Sequence, residues 1–270
     1  MIQKFNILNK EGKAILATNF YNFETLKGVL LAVKKINTSI ILQLTQSSID
    51  YMGLENAINM AKTGLKYYNV QGWVHLDHGG SVELAKKCLD AGFDSVMYDG
   101  SELPLEENIK NTKVVVAYAK KFNANVEAEL GYVAKLGQDT GKTGYTDVND
   151  AIKFVKETGV NTLAVAIGTA HGFYKEKPKL DFKRLSEIKK AVKIPLVLHG
   201  GSGVPDEDLK KSVQNGICKI NVATEIKNIF IQTIKKEINK SDEIDLRKIF
   251  PPATNAITNL IIQKLKAIEN

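Results

Sequence analysis

The sequence predicts an α/β fold: a (β/α)8 TIM barrel in a single domain over residues 1–270, with a C-terminal helical extension over about 241–270. Three observations predict it. Eight short β-branched or apolar runs recur, 21 to 37 residues apart from start to start. Each is followed by a longer stretch with helical apolar spacing, the pattern of parallel strands joined by crossover helices. No Gly-x-Gly-x-x-Gly turn follows the first run, as an open dinucleotide-binding sheet would require. In order, the runs are Ile-Leu-Ala-Thr at 15–18, Ser-Ile-Ile-Leu-Gln-Leu at 39–44, Trp-Val-His-Leu at 73–76, Asp-Ser-Val-Met-Tyr at 94–98, Asn-Val-Glu-Ala-Glu-Leu at 125–130, Thr-Leu-Ala-Val-Ala at 162–166, Pro-Leu-Val-Leu at 195–198 and Ile-Cys-Lys-Ile-Asn-Val at 217–222. Several helical stretches close on a glycine just before the next strand, at Gly92, Gly159 and Gly216. Glycine adopts the left-handed cap that ends a helix. Two connections, 131–146 and 167–180, are long, and long loops on one barrel face are usually functional. The last 30 residues begin charged, pass Pro251 and Pro252, and end in an amphipathic helix suited to covering the barrel or a partner subunit.

Composition narrows the function. Apolar residues make up 44% and charged residues 25%, with six prolines, which excludes disordered and collagenous chains. Cys88 and Cys218 lack the number for a disulfide framework and the spacing of a metal or redox pair, so a reducing cytoplasm is expected. No apolar run approaches the roughly 18 residues needed to span a bilayer, and the first residues lack a cleavable leader pattern. Lysine and arginine exceed aspartate and glutamate by 37 to 30, giving +7, but the lysines are scattered. A small anionic substrate fits that surplus equally well, and neither nucleic acid nor membrane is an expected partner.

A barrel carries its active site at the carboxyl ends of its strands, so the polar residues there are the candidates. His78, His171 and His199 end three different runs, each beside glycine. Three neutral imidazoles meeting at one point form a zinc site with an open, catalytic position; taken singly, each is more often a core or loop histidine. His75, three residues before His78, has the opposite parity and reads as an interior or supporting group. Asp77 lies beside His78, placed to exchange a proton with a metal-bound substrate oxygen; orienting a histidine is its alternative role. Asp99 and Glu129 offer carboxylates at neighbouring strand ends for a second cation, either divalent or monovalent, or for histidine orientation. Glu127 shares the parity of Glu129 but lies a pleat deeper, and Glu129 is favoured.

Gly200, Gly201, Ser202 and Gly203 form a turn whose backbone N–H groups and hydroxyl suit a phosphate, in the position where barrels often bind one. Asn221 and Thr224 from the eighth run, and Lys175 from the preceding loop, would complete that pocket. Metal and phosphate together point to a cation that polarises a carbonyl and stabilises an enediolate, the chemistry of aldol cleavage or isomerisation.

The strings His75-Leu-Asp-His-Gly, Asp94-Ser-Val-Met-Tyr-Asp-Gly-Ser, Glu127-Ala-Glu-Leu-Gly, Ala166-Ile-Gly-Thr-Ala-His-Gly, Pro195-Leu-Val-Leu-His-Gly-Gly-Ser-Gly-Val-Pro and Lys219-Ile-Asn-Val-Ala-Thr-Glu resemble the class II, zinc-dependent ketose-bisphosphate aldolases, in order and from about Ala17 onward. The resemblance implies zinc on His78, His171 and His199, and Asp77 as proton donor and acceptor at the C4 oxygen. It places Asp99 and Glu129 at second-cation positions. Gly172, Gly200, Gly201, Ser202, Asn221, Val222, Ala223 and Thr224 fall at positions that bind the dihydroxyacetone-phosphate half, and Asn19 matches another pocket asparagine. Arg247 matches an arginine used on the distal phosphate, whose planar fork of donors suits it. The implied reaction is reversible cleavage of fructose or tagatose 1,6-bisphosphate to dihydroxyacetone phosphate and glyceraldehyde 3-phosphate by a homodimer or homotetramer, with Arg247 reaching a neighbour's pocket. Ala223, in a Val-Ala-Thr-Glu run, resembles the tagatose-type members.

Departures from the family pattern also bear on function. The loop after Glu-Leu-Gly is shorter than in most relatives and lacks their glutamate, leaving Asp139 as the nearest substitute. Glu102 replaces a usual histidine, and the common glycine-serine-rich tail is absent. The alternatives are an aldolase for another phosphorylated ketose, a zinc hydrolase (which the phosphate turn argues against) and a non-catalytic phosphosugar-binding barrel.

Overall fold

A computed structural model of the chain describes residues 1–135, 144–240 and 242–269. Eight parallel strands close into a barrel in chain order: β1 (Ile15–Asn19), β2 (Ser39–Thr45), β3 (Gln71–Gly79), β4 (Ser95–Tyr98), β5 (Asn125–Leu130), β6 (Thr162–Val165), β7 (Leu196–Leu198) and β8 (Ile217–Val222). β8 returns to pair with β1, Ile15 opposite Lys219 and Ala17 opposite Asn221. All eight expected runs are strands, and β3 is longer than its apolar run because it continues through Asp77 and His78. A short parallel pair, Ala134–Lys135 with Ala170–His171, stands outside the barrel over its carboxyl end.

Local signals set the helix ends. Asn22, Ser81, Asp147 and Asp181 each accept a hydrogen bond from a first-turn N–H group, and Asn22 forms a reciprocal box with Thr25. Gly92, Gly159 and Gly216 all have positive φ, as their positions before strands require. Outward-facing strand residues, among them Leu42, Val74, Leu76, Val96, Leu163 and Leu198, pack under the helices in one continuous core.

The barrel interior is divided along its axis. At the amino end of the strands, Ile15, Ala17 and Ile41 pack against Phe5 and Leu8 of the helix Ile2–Glu11, which plugs that mouth. Nothing in the strand-helix periodicity announces this plug. Towards the carboxyl end the interior becomes polar, with Gln43, His75, Asp77, Glu127, Glu129, Lys219 and Asn221 all buried.

The expected C-terminal helix is Leu246–Ile268, and it lies across the helix Phe23–Ile36, burying Ala253, Ile257, Ile261 and Leu265. Pro251 and Pro252 fall within its first two turns. The two helices approach so closely at Gly28 that a Cβ there would lie 2.8 Å from both Ile257 Cγ2 and the Thr254 carbonyl oxygen. Thr258 Oγ1 donates to the Gly28 carbonyl at 3.0 Å. No described helix is long and apolar enough to cross a membrane. Gly28→Ala should therefore cost about 1–3 kcal/mol through overpacking, read as a lowered midpoint in thermal denaturation; an unchanged midpoint would show that the C-terminal helix can shift away freely.

Candidate active site

Neighbouring residues of a strand point to opposite faces, yet Asp77 and His78 both line the cleft at the carboxyl end of the barrel. The pairing of β3 with β4 slips between Leu76 and Gly79, and His78 has φ 51°, a left-handed backbone rare for a residue other than glycine. This bulge turns the His78 imidazole onto the face that Asp77 already occupies. His75 keeps regular parity with Asp77 and faces the barrel interior, where its Nδ1 pairs with Ser95 Oγ at 2.7 Å. It is the interior group anticipated.

The cleft, about 420 Å³, is lined by Asn19, Asp77, His78, His171, Gly172, His199, Gly200, Ser202, Asn221, Ala223 and Thr224, all singled out from sequence. Tyr21, Thr45, Gln46, Ser47 and Lys227 also line it. Lys227 had one available signal: it sits in the first turn of the helix Thr224–Ile238, directly after the last strand-end motif.

Ligand nitrogens of His78, His171 and His199 lie within 4.8 Å of one another. His78 Nδ1 pairs with Asp99 Oδ2 at 2.6 Å, and His199 Nε2 pairs with Glu127 Oε1 at 2.8 Å. A carboxylate can only accept, so each histidine donates from that nitrogen. The nitrogens left over, His78 Nε2 and His199 Nδ1, face each other at 3.0 Å. In two neutral imidazoles these would be opposed lone pairs, which repel unless a proton or a cation lies between them. With the His171 ring centroid 4.9 Å from that of His78, this donor set fits a tetrahedral ion with one position left open.

Charge follows the same geometry. Burial pushes the His78 imidazolium down, but Asp77, the Asp99 hydrogen bond and Glu129 outweigh it and raise its pKa to about 9. Burial and the neighbouring His78 hold His199 well below 6.5, and burial with the Lys219 ammonium does the same to His75. Burial would raise Asp77, yet His78, His199 and Lys219 bring it below the usual carboxylate range. Burial and Asp99 raise Glu129 to about 8. Asp99, Glu129 and His78 form a second cluster of ligand atoms within 4.8 Å, a set that could hold a cation.

Asp77 is held by three amides: Gln43 Nε2 donates at 2.9 Å, Asn19 Nδ2 at 3.1 Å and Asn221 Nδ2 at 3.3 Å. Donating from nitrogen leaves their oxygens, Asn19 Oδ1, Gln43 Oε1 and Asn221 Oδ1, buried without a protein partner. Orphaned acceptors around a carboxylate suit the hydroxyls of a polyol. Gln43 escaped sequence reading because it sits inside an otherwise apolar run.

The glycine turn stands where expected. Gly200 has φ +67°, and a Cβ on it would meet the Ala170 carbonyl oxygen at 2.5 Å. Ser202 Oγ accepts from the Ala223 N–H at 3.1 Å, joining this turn to the start of the helix Thr224–Ile238. Tyr174 Oη accepts from the Ala170 N–H at 2.7 Å and lies within donating distance of the Gly200 carbonyl at 3.0 Å, stitching the His171 loop to the His199 turn.

Four expected binding residues stand elsewhere. Gly201 is buried against the Asn221 backbone, and the Val222 side chain faces the helices within the core, because β8 alternates. Lys175 is exposed and outside the cleft lining. Arg247 is paired with Asp245 at the surface, in a groove with Phe23 and Phe250, and does not reach the cleft of its own chain. Asp139 lies outside the described residues.

Over residues 1–270 the chain matches the family described as fructose-bisphosphate aldolase class-II. It is 38% identical to a fructose-bisphosphate aldolase of Helicobacter pylori, covering 96% of this chain and 94% of that one. The crystal structure of the YdjI aldolase from Escherichia coli K12 superposes with a TM-score of 0.88 at 31% identity, covering 99% and 96%. The fructose-bisphosphate aldolase structure from Campylobacter jejuni, at 24% identity and TM-score 0.79 over 98% and 93%, shares the fold.

The charge pattern carries its own test. Because the His78 pKa is raised above its unfolded 6.5, its contribution to stability is fully present below 6.5 and is lost as pH rises through about 9. Glu129, raised to about 8, acts with the same sign. Metal-free protein should therefore melt lower at pH 9.5 than at pH 7. Asp99→Asn should bring the His78 pKa down from about 9 towards the ordinary imidazole value in an NMR titration and narrow that difference.

Proposed function

Because the chain belongs to the class II fructose-bisphosphate aldolase family and is thus an aldehyde-lyase, we propose that it reversibly cleaves a ketose 1,6-bisphosphate, fructose or tagatose, to dihydroxyacetone phosphate and glyceraldehyde 3-phosphate. The observation that carries this reading is the facing pair His78 Nε2 and His199 Nδ1, 3.0 Å apart beside Asp77 and the three amides that hold it. His78, His171 and His199 would hold zinc, which when bound acts as a Lewis acid on the substrate's carbonyl and adjacent hydroxyl oxygens.

The protein's own groups supply the rest. Asp77, kept ionised by the surrounding imidazoles and Lys219, takes the proton of the C4 hydroxyl. The C4 oxygen becomes the aldehyde carbonyl, the C3–C4 bond breaks, its electron pair is delocalised into the C2 carbonyl, and C3 then takes a proton from solvent to give dihydroxyacetone phosphate. The unpartnered oxygens of Asn19, Gln43 and Asn221 would accept sugar hydroxyls and fix the chain's pose before that transfer. Gly172, Gly200, Ser202, Ala223 and Thr224, with the N-terminus of the helix Thr224–Ile238, would hold the phosphate of the dihydroxyacetone half. Asp99 and Glu129 would hold a further cation or orient His78. Arg247, remote from its own cleft, is assigned to the distal phosphate of a second copy in a homodimer or homotetramer.

Substrate choice between the C4 epimers rests on Ala223 at the cleft wall, which favours tagatose; fructose is the broader family expectation. A coupled assay following triose phosphate release from both sugars, with and without EDTA, tests the reading: chelator-sensitive cleavage of either supports it, and no cleavage with zinc bound points to another phosphorylated ketose. Asp77→Ala should lower kcat by about 10²–10⁴-fold while leaving zinc bound by metal analysis. Near-normal turnover would remove Asp77 from the proton-transfer role.

A further inference from the structure

Beneath the cleft, Lys219 Nζ lies 2.7 Å from Glu127 Oε2 and 3.2 Å from His75 Nε2, with all three side chains 0% exposed. The other oxygen of Glu127, Oε1, receives His199 Nε2 at 2.8 Å. An ammonium has three donors and no acceptor, so its partners' roles are forced. His75 Nε2 must accept, which puts the His75 proton on Nδ1, directed at Ser95 Oγ. Glu127, paired with the ammonium, is an acceptor at both oxygens, which puts the His199 proton on Nε2.

We infer that the buried Lys219–Glu127 pair is a tautomer lock: it keeps the Nδ1 lone pair of His199 directed into the cleft, and Lys219 and Glu127 are positioning residues for that imidazole. A group that donated a hydrogen bond to His199 Nε2 from the position of Glu127 Oε1 would instead leave the imidazole's own proton on Nδ1, pointing an N–H towards the cleft, where it could ligate no cation. The value of the lock follows from the reading of His199 as a metal ligand, but the tautomer itself does not depend on it.

Glu127→Gln separates this role from simple packing. An amide has one oxygen. Lys219 must claim it, so the amide NH₂ faces His199 Nε2 and forces the proton to Nδ1. Adding Lys219→Met frees that oxygen to accept from His199 again. The loss in the single variant should therefore be repaired by the second substitution, whereas a merely structural pair predicts that the two losses accumulate.

The experiment reads histidine tautomers by long-range ¹H–¹⁵N correlation in metal-free protein labelled with ¹⁵N-histidine, and zinc affinity by competition with a chelator. Unmodified protein should show His199 protonated at Nε2. E127Q should move the proton to Nδ1 and weaken zinc about 10–100-fold. E127Q/K219M should return the proton to Nε2 and recover at least tenfold in affinity over E127Q. His199 protonated at Nδ1 in the unmodified protein overturns the lock, and this arm needs no variant to fold. A double variant that binds zinc no better than E127Q also overturns it. An Nε2-protonated His199 in a protein that binds no zinc supports the lock and overturns the metal assignment instead.

Discussion

A parallel strand delivers every second side chain to the barrel interior, and that alternation normally prevents neighbours from acting on one small molecule together. The left-handed turn of backbone at His78 breaks the rule at one residue. Its consequence is that a carboxylate and an imidazole adjacent in sequence share one face, a few ångströms from the His199 nitrogen that approaches from across the barrel. A non-glycine residue in this conformation costs of order 1–3 kcal/mol, and such strain persists only where surroundings over-determine it. Here they do: Asp99 holds the imidazole from one side, and Gly79 packs so closely that a Cβ would meet the Met97 carbonyl oxygen at 2.5 Å.

The division of the interior gives this arrangement its electrostatic setting. Apolar packing of Phe5, Leu8, Ile15 and Ile41 seals one mouth. Above it, charged and amide groups are stacked out of contact with solvent, so each hydrogen bond is directional and consequential. Lys219 and Glu127 lie at the boundary between the two regions. They join the rigid sheet below to the imidazoles above, which is why a cation one layer away from the cleft lowers both His75 and Asp77.

Much of this was legible in the residues. Strand periodicity placed all eight strands, and the concentration of histidine, aspartate and glycine at their carboxyl ends marked the cleft, because a closed barrel leaves no other place where those ends converge. What escaped depends on depth and register. Glu127 and Glu129 have identical parity, and sequence favoured Glu129; only the barrel's stagger puts Glu127 level with Lys219 and His199. Val222 was grouped with its neighbours in a motif, though alternation sends its side chain outward. The bulge at His78, the plug formed by Ile2–Glu11 and the Tyr174 stitch are products of tertiary packing that leave no periodic trace.

Closure of the sheet in chain order has a bearing on synthesis. Thr18 Oγ1 donates to the Val222 carbonyl, a partner 204 residues later in the chain. At about 5–20 residues per second, β1 waits roughly 10–40 s on the ribosome before its neighbour exists. For that interval one edge of β1 is an unpaired row of backbone donors and acceptors, flanked by apolar side chains that later fill the core. The margin of β1 that β8 covers in the finished barrel therefore stays without its partner for most of translation.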